Sequence, residues 1–317
     1  MVENMAIKRI ACVGSGLIGH GWATIFAMKN YQVSLQGIRE KSLVNAVEQI
    51  RSNLKFLAEQ NLVNREEIEA MMERITITTN LTEAVRNADY IQESAPENLD
   101  LKKKIFEKID SESPANTIIA SSSSGFAITE LQKVTSRPER CIIVHPFNPT
   151  HLIPLVELVP GEKTSRETVE LAYGFMEKIG KVPVVLRKEV PGYIANRLSS
   201  ALWREAIDLV DKGVASVDDV DKVLYSGLGI RWAIIGAHLT YHLGGGSGGI
   251  KRFIENIGPT FSHIWETMDP WTAIPSSAVE KIIEGVSQMS IAKKMDIDDI
   301  VKWRDRKLVE LLKILYS

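Results

Sequence analysis

Residues Gly14-Ser15-Gly16-Leu17-Ile18-Gly19 stand between an apolar β-type run, Arg9 to Val13, and a helical run through Trp22 and Phe26. Glycines at this spacing let a strand turn sharply into a helix and bring its backbone close to a ligand. A pyrophosphate can then rest on the exposed N–H groups and positive dipole end of the helix. The bare glycine pattern is a weak signal. The strand before it and the helix after it supply the context that separates a dinucleotide-binding turn from a merely structural one. Gly14, Gly16, Leu17, Ile18 and Gly19 are therefore candidate cofactor contacts.

The runs that follow keep the same rhythm. Short β-rich segments at Arg9–Val13, Gln32–Leu35, Ile75–Thr78, Tyr90–Glu93, Ile118–Ala120, Ile142–His145 and Val182–Leu186 alternate with helical patterns. That order predicts an α/β fold whose N-terminal part is a Rossmann-type, doubly wound, mostly parallel sheet. The amphipathic stretch from Glu40 to Glu73, broken near Asn61 to Asn64, reads as a helical hairpin inserted between the second and third runs. Beyond Pro191-Gly192, a plausible hinge, strand signals vanish and helices are expected at Ile194–Lys212, Val217–Tyr225, Gly249–Asn256, Ser277–Gln288 and Ile297–Leu315. The expected domains are thus a dinucleotide-binding domain, residues 1–190, and an all-α C-terminal domain, residues 191–317. Gly244 to Gly249 reads as a flexible loop.

A length of 317 residues suits two such domains, and a formal net charge of -2 carries no basic excess of the kind nucleic-acid binders show. Nucleic acid and anionic membrane are unlikely partners on that ground, and no apolar run reaches the roughly 18 residues that a membrane helix needs. Cys12 and Cys141 each sit in an apolar β-type run and offer neither a disulfide framework nor a zinc pattern. His20, His151, His238, His242 and His263 show no metal-ligand spacing with acidic partners, so no metal is expected. The expected setting is a reducing compartment, the cytoplasm.

At the end of the second run, where NAD enzymes usually carry an acid for the ribose hydroxyls, the chain reads Leu35-Gln36-Gly37-Ile38-Arg39. Without that carboxylate a 2′-phosphate meets no repulsion, and Arg39 can pair with it in bidentate fashion. Gly37 and Arg39 are cofactor-site candidates, and on these residues NADP stays as open as NAD.

Three further segments complete a pattern: Ser121-Ser122-Ser123-Ser124-Gly125, His145-Pro146-Phe147-Asn148-Pro149 with Leu155-Val156-Glu157 behind it, and Gly192-Tyr193-Ile194-Ala195-Asn196-Arg197. With the glycine turn, this ordered set resembles the 3-hydroxyacyl-CoA dehydrogenase superfamily over essentially the whole chain. The stretches Tyr90 to Glu97, Leu101 to Lys104, Ile153 to Val159 and Gly227 to Ala233 are most similar to its small-substrate branch, the L-carnitine 3-dehydrogenases and the λ-crystallin-like L-gulonate 3-dehydrogenases. Ala201 to Ala206 and the Gly245 to Gly249 loop tilt the resemblance toward the carnitine enzymes. It implies NAD(H) as cofactor, a 3-hydroxy compound as substrate, and a homodimer formed through the α-domain. It also admits a structural, crystallin-like role, which intact His145, Glu157 and Asn196 argue against.

The chemistry of the residues agrees with the resemblance. Oxidising a carbinol requires a base to take the hydroxyl proton as the carbon loses hydride, a task suited to neutral His145. Glu157 can fix the imidazole tautomer and stabilise the imidazolium that forms. Ser124 can donate to the reacting oxygen, and the resemblance adds Asn196 as a second polar contact. It also sets Glu97, Lys102 and Asn148 near the cofactor, although Glu97 and Lys102 read equally well as an ion pair on a helix face. For a hydroxy-acid substrate, Arg231 is the candidate for the carboxylate, with an interface salt bridge as the competing reading. Trp232, Tyr241, Phe261, Trp265 and Trp271 are candidates for an aromatic cage around a trimethylammonium, though aromatics at helical spacing are more often core. A CoA thioester is the weaker alternative, because the charges of residues 40–73 are nearly balanced.

Overall fold

The computed structural model describes residues 7–316. They divide into two compact units, the first ending at Arg197 and the second beginning at Leu198. The division falls inside a helix, beyond the Pro191-Gly192 turn expected as the hinge.

In the first unit, β-branched and apolar runs form β1 (Arg9–Val13), β2 (Gln32–Gln36), β3 (Ile75–Thr78), β4 (Tyr90–Glu93), β5 (Ile118–Ser121), β6 (Cys141–Pro146), β7 (Leu155–Pro160) and β8 (Val182–Val185). They make one eight-stranded sheet in the order β3-β2-β1-β4-β5-β6-β7-β8. The reversal of order between β1 and β4 opens a crevice at the carboxyl ends of the strands, where ligands of such sheets bind. All pairings are parallel except that of β6 with β7. Seven of these strands were expected. The run Leu155–Pro160 was read only as residues trailing the His145 segment, and it is a full strand.

The helices of this unit are α1 (Leu17–Met28), α2 (Glu40–Glu59), α3 (Ile68–Glu73), α4 (Leu81–Val85), α5 (Leu99–Glu112), α6 (Ile128–Gln132) and α7 (Arg166–Lys178). Helix α2 and the short helix α3 are the two limbs of the expected hairpin. Side-chain caps start α5 and α7, where Asn98 Oδ1 accepts from Leu101 N at 2.9 Å and Ser165 Oγ from Thr168 N at 3.0 Å. The central strands β4, β5 and β6 are buried on both faces, whereas the edge strands β3 and β8 are partly exposed, and alternate residues of the inner strands sort into two cores. Ile10, Cys12, Ile142 and Val144 point to the side of Trp22, Phe26 and Phe175; Ala11, Val13, Cys141 and Ile143 point to the side of Phe106, Ile109 and Leu131. Phe26 stacks between Trp22 at 5.4 Å and Phe175 at 5.7 Å. Its full burial contributes about 2 kcal/mol, enough to hold α1 against the sheet.

Helix α8 (Ala195–Asp211) leads into the second unit, whose described residues form helices and connecting segments without a strand: α9 (Val217–Val223), α10 (Gly229–Gly244), α11 (Gly249–Thr267), α12 (Ser276–Gln288), α13 (Ser290–Lys294) and α14 (Ile297–Leu315). Ser216 caps α9 by accepting from Asp219 N at 3.1 Å. Three expectations need correction. Helix α10 was not foreseen, its pattern being interrupted by Gly236, which takes φ 69° inside it. Helix α11 continues through Pro259 to Thr267 instead of stopping at Asn256. The glycine stretch expected as a flexible loop holds a 3₁₀ turn, Gly246–Gly248, joining α10 to α11.

Candidate active site

The turn after β1 has the geometry that its glycines foretell. Gly14 takes φ +107°, and a Cβ there would lie 2.5 Å from the Ser94 carbonyl oxygen. A Cβ on Gly19 would lie 1.8 Å from the Gly14 carbonyl oxygen, so any side chain would prise helix from strand. Gly16, by contrast, faces open space. It is the N-cap of α1, and neither a side-chain cap nor an acidic residue occupies that first turn. The first N–H groups of α1 therefore lack a side-chain cap, with open space beside Gly16, which fits a dinucleotide pyrophosphate. Leu17 is exposed and Ile18 half-buried beside it.

At the end of β2, Gln36 is buried and donates to the Thr79 carbonyl at 3.3 Å. Gly37 is buried and its N–H donates to the Thr78 carbonyl at 3.2 Å. Arg39 is exposed at the N-cap of α2.

Beside the turn lies a buried charge network. Glu93, fully buried at the end of β4, accepts from Lys102 Nζ at 2.9 and 3.2 Å, from Ala95 N at 2.6 Å and from Ser121 Oγ at 2.5 Å. Lys102, on α5 and 1% exposed, also meets Glu97 Oε2 at 3.4 Å. The other Glu97 oxygen accepts from Ser123 Oγ at 2.6 Å and from the backbone N–H groups of Ser124 and Gly125 at 3.2 and 3.1 Å. Glu97 and Lys102 are thus paired, but the pair is anchored inward by Glu93 and shapes the loop that carries Ser124. Sequence reading gave Glu93 no role. An acid closing a wholly buried strand is the signal it offered, since such a charge demands a partner.

His145 and Glu157 are direct cross-strand partners in the antiparallel β6–β7 ladder, so their side chains leave the sheet on one face. His145 Nδ1 lies 3.0 Å from Glu157 Oε2, both residues being buried. A carboxylate there requires the proton on Nδ1, which leaves Nε2 as the basic nitrogen. Glu157 Oε1 accepts from the N–H groups of Ile194 at 2.9 Å and Ala195 at 3.0 Å. Burial raises the Glu157 pKa, but the His145 bond and the two backbone donors outweigh it and hold the carboxyl below its ordinary value.

Two aromatic rings frame the imidazole edge-on: Phe147 at 4.7 Å and Tyr193 at 5.2 Å. Tyr193, at φ 52°, is buried, and its hydroxyl donates toward the Ser123 and Phe126 carbonyls at 3.0 and 2.9 Å. It ties the imidazole to the serine loop, a link no spacing announced. Asn148 is exposed and precedes Pro149 through a cis bond, and Asn196 is half-buried in the first turn of α8.

The remaining candidates lie in the second unit, on α10: Arg231 is exposed and Trp232 half-buried. Tyr241, Phe253, Phe261 and Trp265 form a chain of ring contacts at 5.1 to 6.0 Å that lines an open groove of about 1000 Å³. Among the described residues, Trp232 and Trp271 lie outside that cluster, so the five expected aromatics do not form one cage. No group of three or more His, Cys, Asp or Glu among the described residues is arranged to hold a metal ion.

Comparison with known proteins agrees with this geometry. The NAD binding domain of 3-hydroxyacyl-CoA dehydrogenase matches residues 9–190, and the C-terminal domain of the same family matches residues 192–284. An L-carnitine dehydrogenase of Streptomyces griseus subsp. griseus is 37% identical over 312 residues, 97% of this chain and 90% of that protein. That of Streptomyces coelicolor is 37% identical over 318 residues, covering 99% and 96%. Among solved structures, the NAD+ dependent dismutase 5-formyl-3-hydroxy-2-methylpyridine 4-carboxylic acid 5-dehydrogenase superposes with a TM-score of 0.83 at 29% identity, over 98% of this chain and 99% of that one. A glycine turn fitted to a dinucleotide, a buried His145–Glu157 pair and two matching domains in order lead to one conclusion: the chain belongs to the 3-hydroxyacyl-CoA dehydrogenase family and is an NAD-dependent 3-hydroxy dehydrogenase.

Proposed function

We propose that the chain oxidises the 3-hydroxyl of L-carnitine, or reduces the matching ketone, with His145 as acid/base. The observation that carries the chemistry is the buried 3.0 Å contact of His145 Nδ1 with Glu157 Oε2. The Gly14–Gly19 turn would hold NAD, which when bound would supply the acceptor for the hydride of the carbinol carbon. His145 Nε2 takes the hydroxyl proton as the oxygen becomes a carbonyl, and Glu157 stabilises the imidazolium this produces. Ser124 and Asn196 are assigned as hydrogen-bond donors to the reacting oxygen. Glu97, Lys102 and Asn148 are assigned to the cofactor side.

The substrate reading is supported by the L-carnitine dehydrogenases that match nearly the whole chain. Arg231 is assigned to the substrate carboxylate, because a planar guanidinium matches a carboxylate with two parallel bonds. Trp232 is assigned to the trimethylammonium, which an aromatic face attracts without needing a hydrogen bond. Initial rates with L-carnitine, L-gulonate and a 3-hydroxyacyl-CoA, each with NAD and NADP at alkaline pH, test the assignment. Carnitine should turn over at least ten times faster, in kcat/KM, than the other two. A faster rate with either competitor replaces the substrate while leaving the proton chemistry in place.

The protein is proposed to work as a homodimer in the cytoplasm. The second unit exposes Ile234, Leu243, Trp265 and Ile283, and the aromatic groove beside Trp265 adds a further apolar surface. Static light scattering should return twice the chain mass, and a monomer at micromolar concentration refutes the dimer.

A further inference from the structure

Lys181 lies outside the proton chemistry and the cofactor turn, yet it is one of the few buried lysines. It sits between α7 and β8 at 8% exposure. Its ammonium donates to the Thr150 carbonyl at 2.5 Å and to the Ile153 carbonyl at 2.7 Å, and it lies 5.4 Å from the centre of the Trp22 ring. Burial alone pushes the group down to about 7, so its place in the interior is maintained against a desolvation cost. Two carbonyl acceptors and an aromatic face are the compensation.

What these contacts join is informative. Thr150 and Ile153 belong to the turn 147–154 that connects β6 to β7 and carries Phe147 and Asn148. Trp22 belongs to α1, the helix that begins at the glycine turn, and its indole N–H donates to Ser122 Oγ at 3.1 Å. Ser122 Oγ in turn accepts from Gln92 Nε2 at 2.8 Å and bonds Ser94 Oγ at 2.9 Å. The turn also abuts α1 directly, since a Cβ on Gly21 would lie 2.8 Å from Thr150 Cβ. Helix α1 and the turn beside His145 therefore meet at one ammonium, and the serine segment joins them through Trp22. Within the turn, the N–H groups of Leu152 and Ile153 both donate to the Pro149 carbonyl, at 3.0 and 2.9 Å, and at its end the Pro154 carbonyl accepts from Val182 N–H at 2.8 Å.

We propose that Lys181 is a positioning residue that clamps the 147–154 turn to the nucleotide-binding helix, so that Phe147 and Asn148 keep their places beside His145 and the cofactor. This rests on the assignment of His145 and Asn148 made above. Loss of the ammonium leaves the buried Thr150 carbonyl and the half-buried Ile153 carbonyl without this donor, and the turn moves to find others. The cofactor then binds against a displaced Asn148, and His145 loses the Phe147 edge.

The test uses the full chain with Lys181→Met, which keeps the stem and removes the donors, and Lys181→Ala, which leaves space for an added amine. Two quantities are measured per folded molecule: the dissociation constant for NADH by fluorescence titration, and kcat with L-carnitine. In Lys181→Met the NADH dissociation constant should rise about tenfold and kcat should fall about tenfold. In Lys181→Ala, propylamine should restore both saturably, whereas propanol, which brings the stem with a single donor for two carbonyls, should not. NADH and kcat values within twofold of the parent protein in Lys181→Met overturn the proposal. So does a Lys181→Met chain that fails to fold, because the lysine then serves the whole fold rather than the turn. If the parent protein does not oxidise carnitine, the substrate reading fails, while the NADH titration still decides the role of Lys181.

Discussion

Replacing Glu157 by Gln tests the dyad more sharply than deleting it, because the surrounding backbone dictates how the amide must sit. The N–H groups of Ile194 and Ala195 donate to Oε1 at 2.9 and 3.0 Å, so the amide oxygen of Glu157→Gln takes that place. Its NH2 group is then turned toward His145 Nδ1, 3.0 Å away in the parent protein. An NH2 donor requires Nδ1 to accept, which moves the ring proton to Nε2 and leaves no lone pair for the substrate hydroxyl. The charge is lost as well. For charge centres about 4 Å apart and an effective permittivity near 20, the attraction between imidazolium and carboxylate is about 4 kcal/mol, which bounds the loss in kcat near 10³. A fall in kcat of about 10² to 10³ is expected, with the dissociation constant for NADH within about twofold. Steady-state rates with L-carnitine and NAD, set beside a fluorescence titration of NADH, measure both. A kcat within about fivefold of the parent protein would refute the argument that Glu157 fixes the tautomer and stabilises the cation.

Further outcomes follow from the same geometry. His145→Gln should lower kcat by about two orders of magnitude or more with NADH affinity nearly unchanged, since only the proton acceptor is lost; this is read by the same pair of measurements. Arg39→Ala should raise KM for NADP about tenfold and leave KM for NAD within about twofold, because a guanidinium has a partner only in the 2′-phosphate. Equal effects on both cofactors remove Arg39 from the site. Asp110 is buried, which raises its pKa, but it accepts from Ser136 N at 2.7 Å and from Arg140 Nη2 at 2.8 Å, and the net result is a value below the ordinary 3.8. Glu157 is likewise held below its ordinary 4.5. The stability they contribute is complete above those ordinary values and is lost as pH falls through the lowered ones. Thermal melts should therefore fall as pH drops below about 4, where these two carboxyls take up protons. Asp110→Ala, which strands a buried Arg140, should cost about 3 kcal/mol in urea unfolding at pH 7, and a cost under about 1 kcal/mol refutes the pairing.

The parts of this protein that were legible in its sequence are those whose physics is local. A continuous β-branched run such as Ile118-Ile119 declares a strand buried on both faces. The three glycines of the nucleotide turn are read from what a Cβ would strike, and His145 and Glu157 from what their side chains can do. Less legible was anything decided by a distant partner. Strand β7 was overlooked because Glu157 interrupts its apolar run and Pro154 and Pro160 bracket it. Helix α10 was hidden by Gly229 and Gly236, residues that local propensity counts against a helix and that tertiary packing here overrides. The pairing of Lys102 with Glu97 was read from helix spacing, but the stronger partner, Glu93, projects from a strand end that no helical period reaches. Lys181 belongs to no motif in the sequence, and only the folded chain surrounds it with carbonyls.

The antiparallel step between β6 and β7 has a bearing on how such an enzyme can change over time. His145 and Glu157 face each other because they are register partners in a ladder, and the ladder's hydrogen bonds do not depend on how far the chain wanders between its two strands. The eight residues 147–154 between them can therefore lengthen, shorten or be exchanged without separating acid from imidazole. A slip of one residue along the ladder, in contrast, would turn Glu157 to the opposite face of the sheet and deprive His145 of the carboxylate that fixes its tautomer. Mutational tolerance should accordingly be graded, with the paired strands closed to insertion and the connection open to change only where Phe147, Asn148 and the carbonyls of Thr150 and Ile153 keep their places. One inherited proton-transfer unit can in this way be fitted to new substrates by rewriting the rest of that loop.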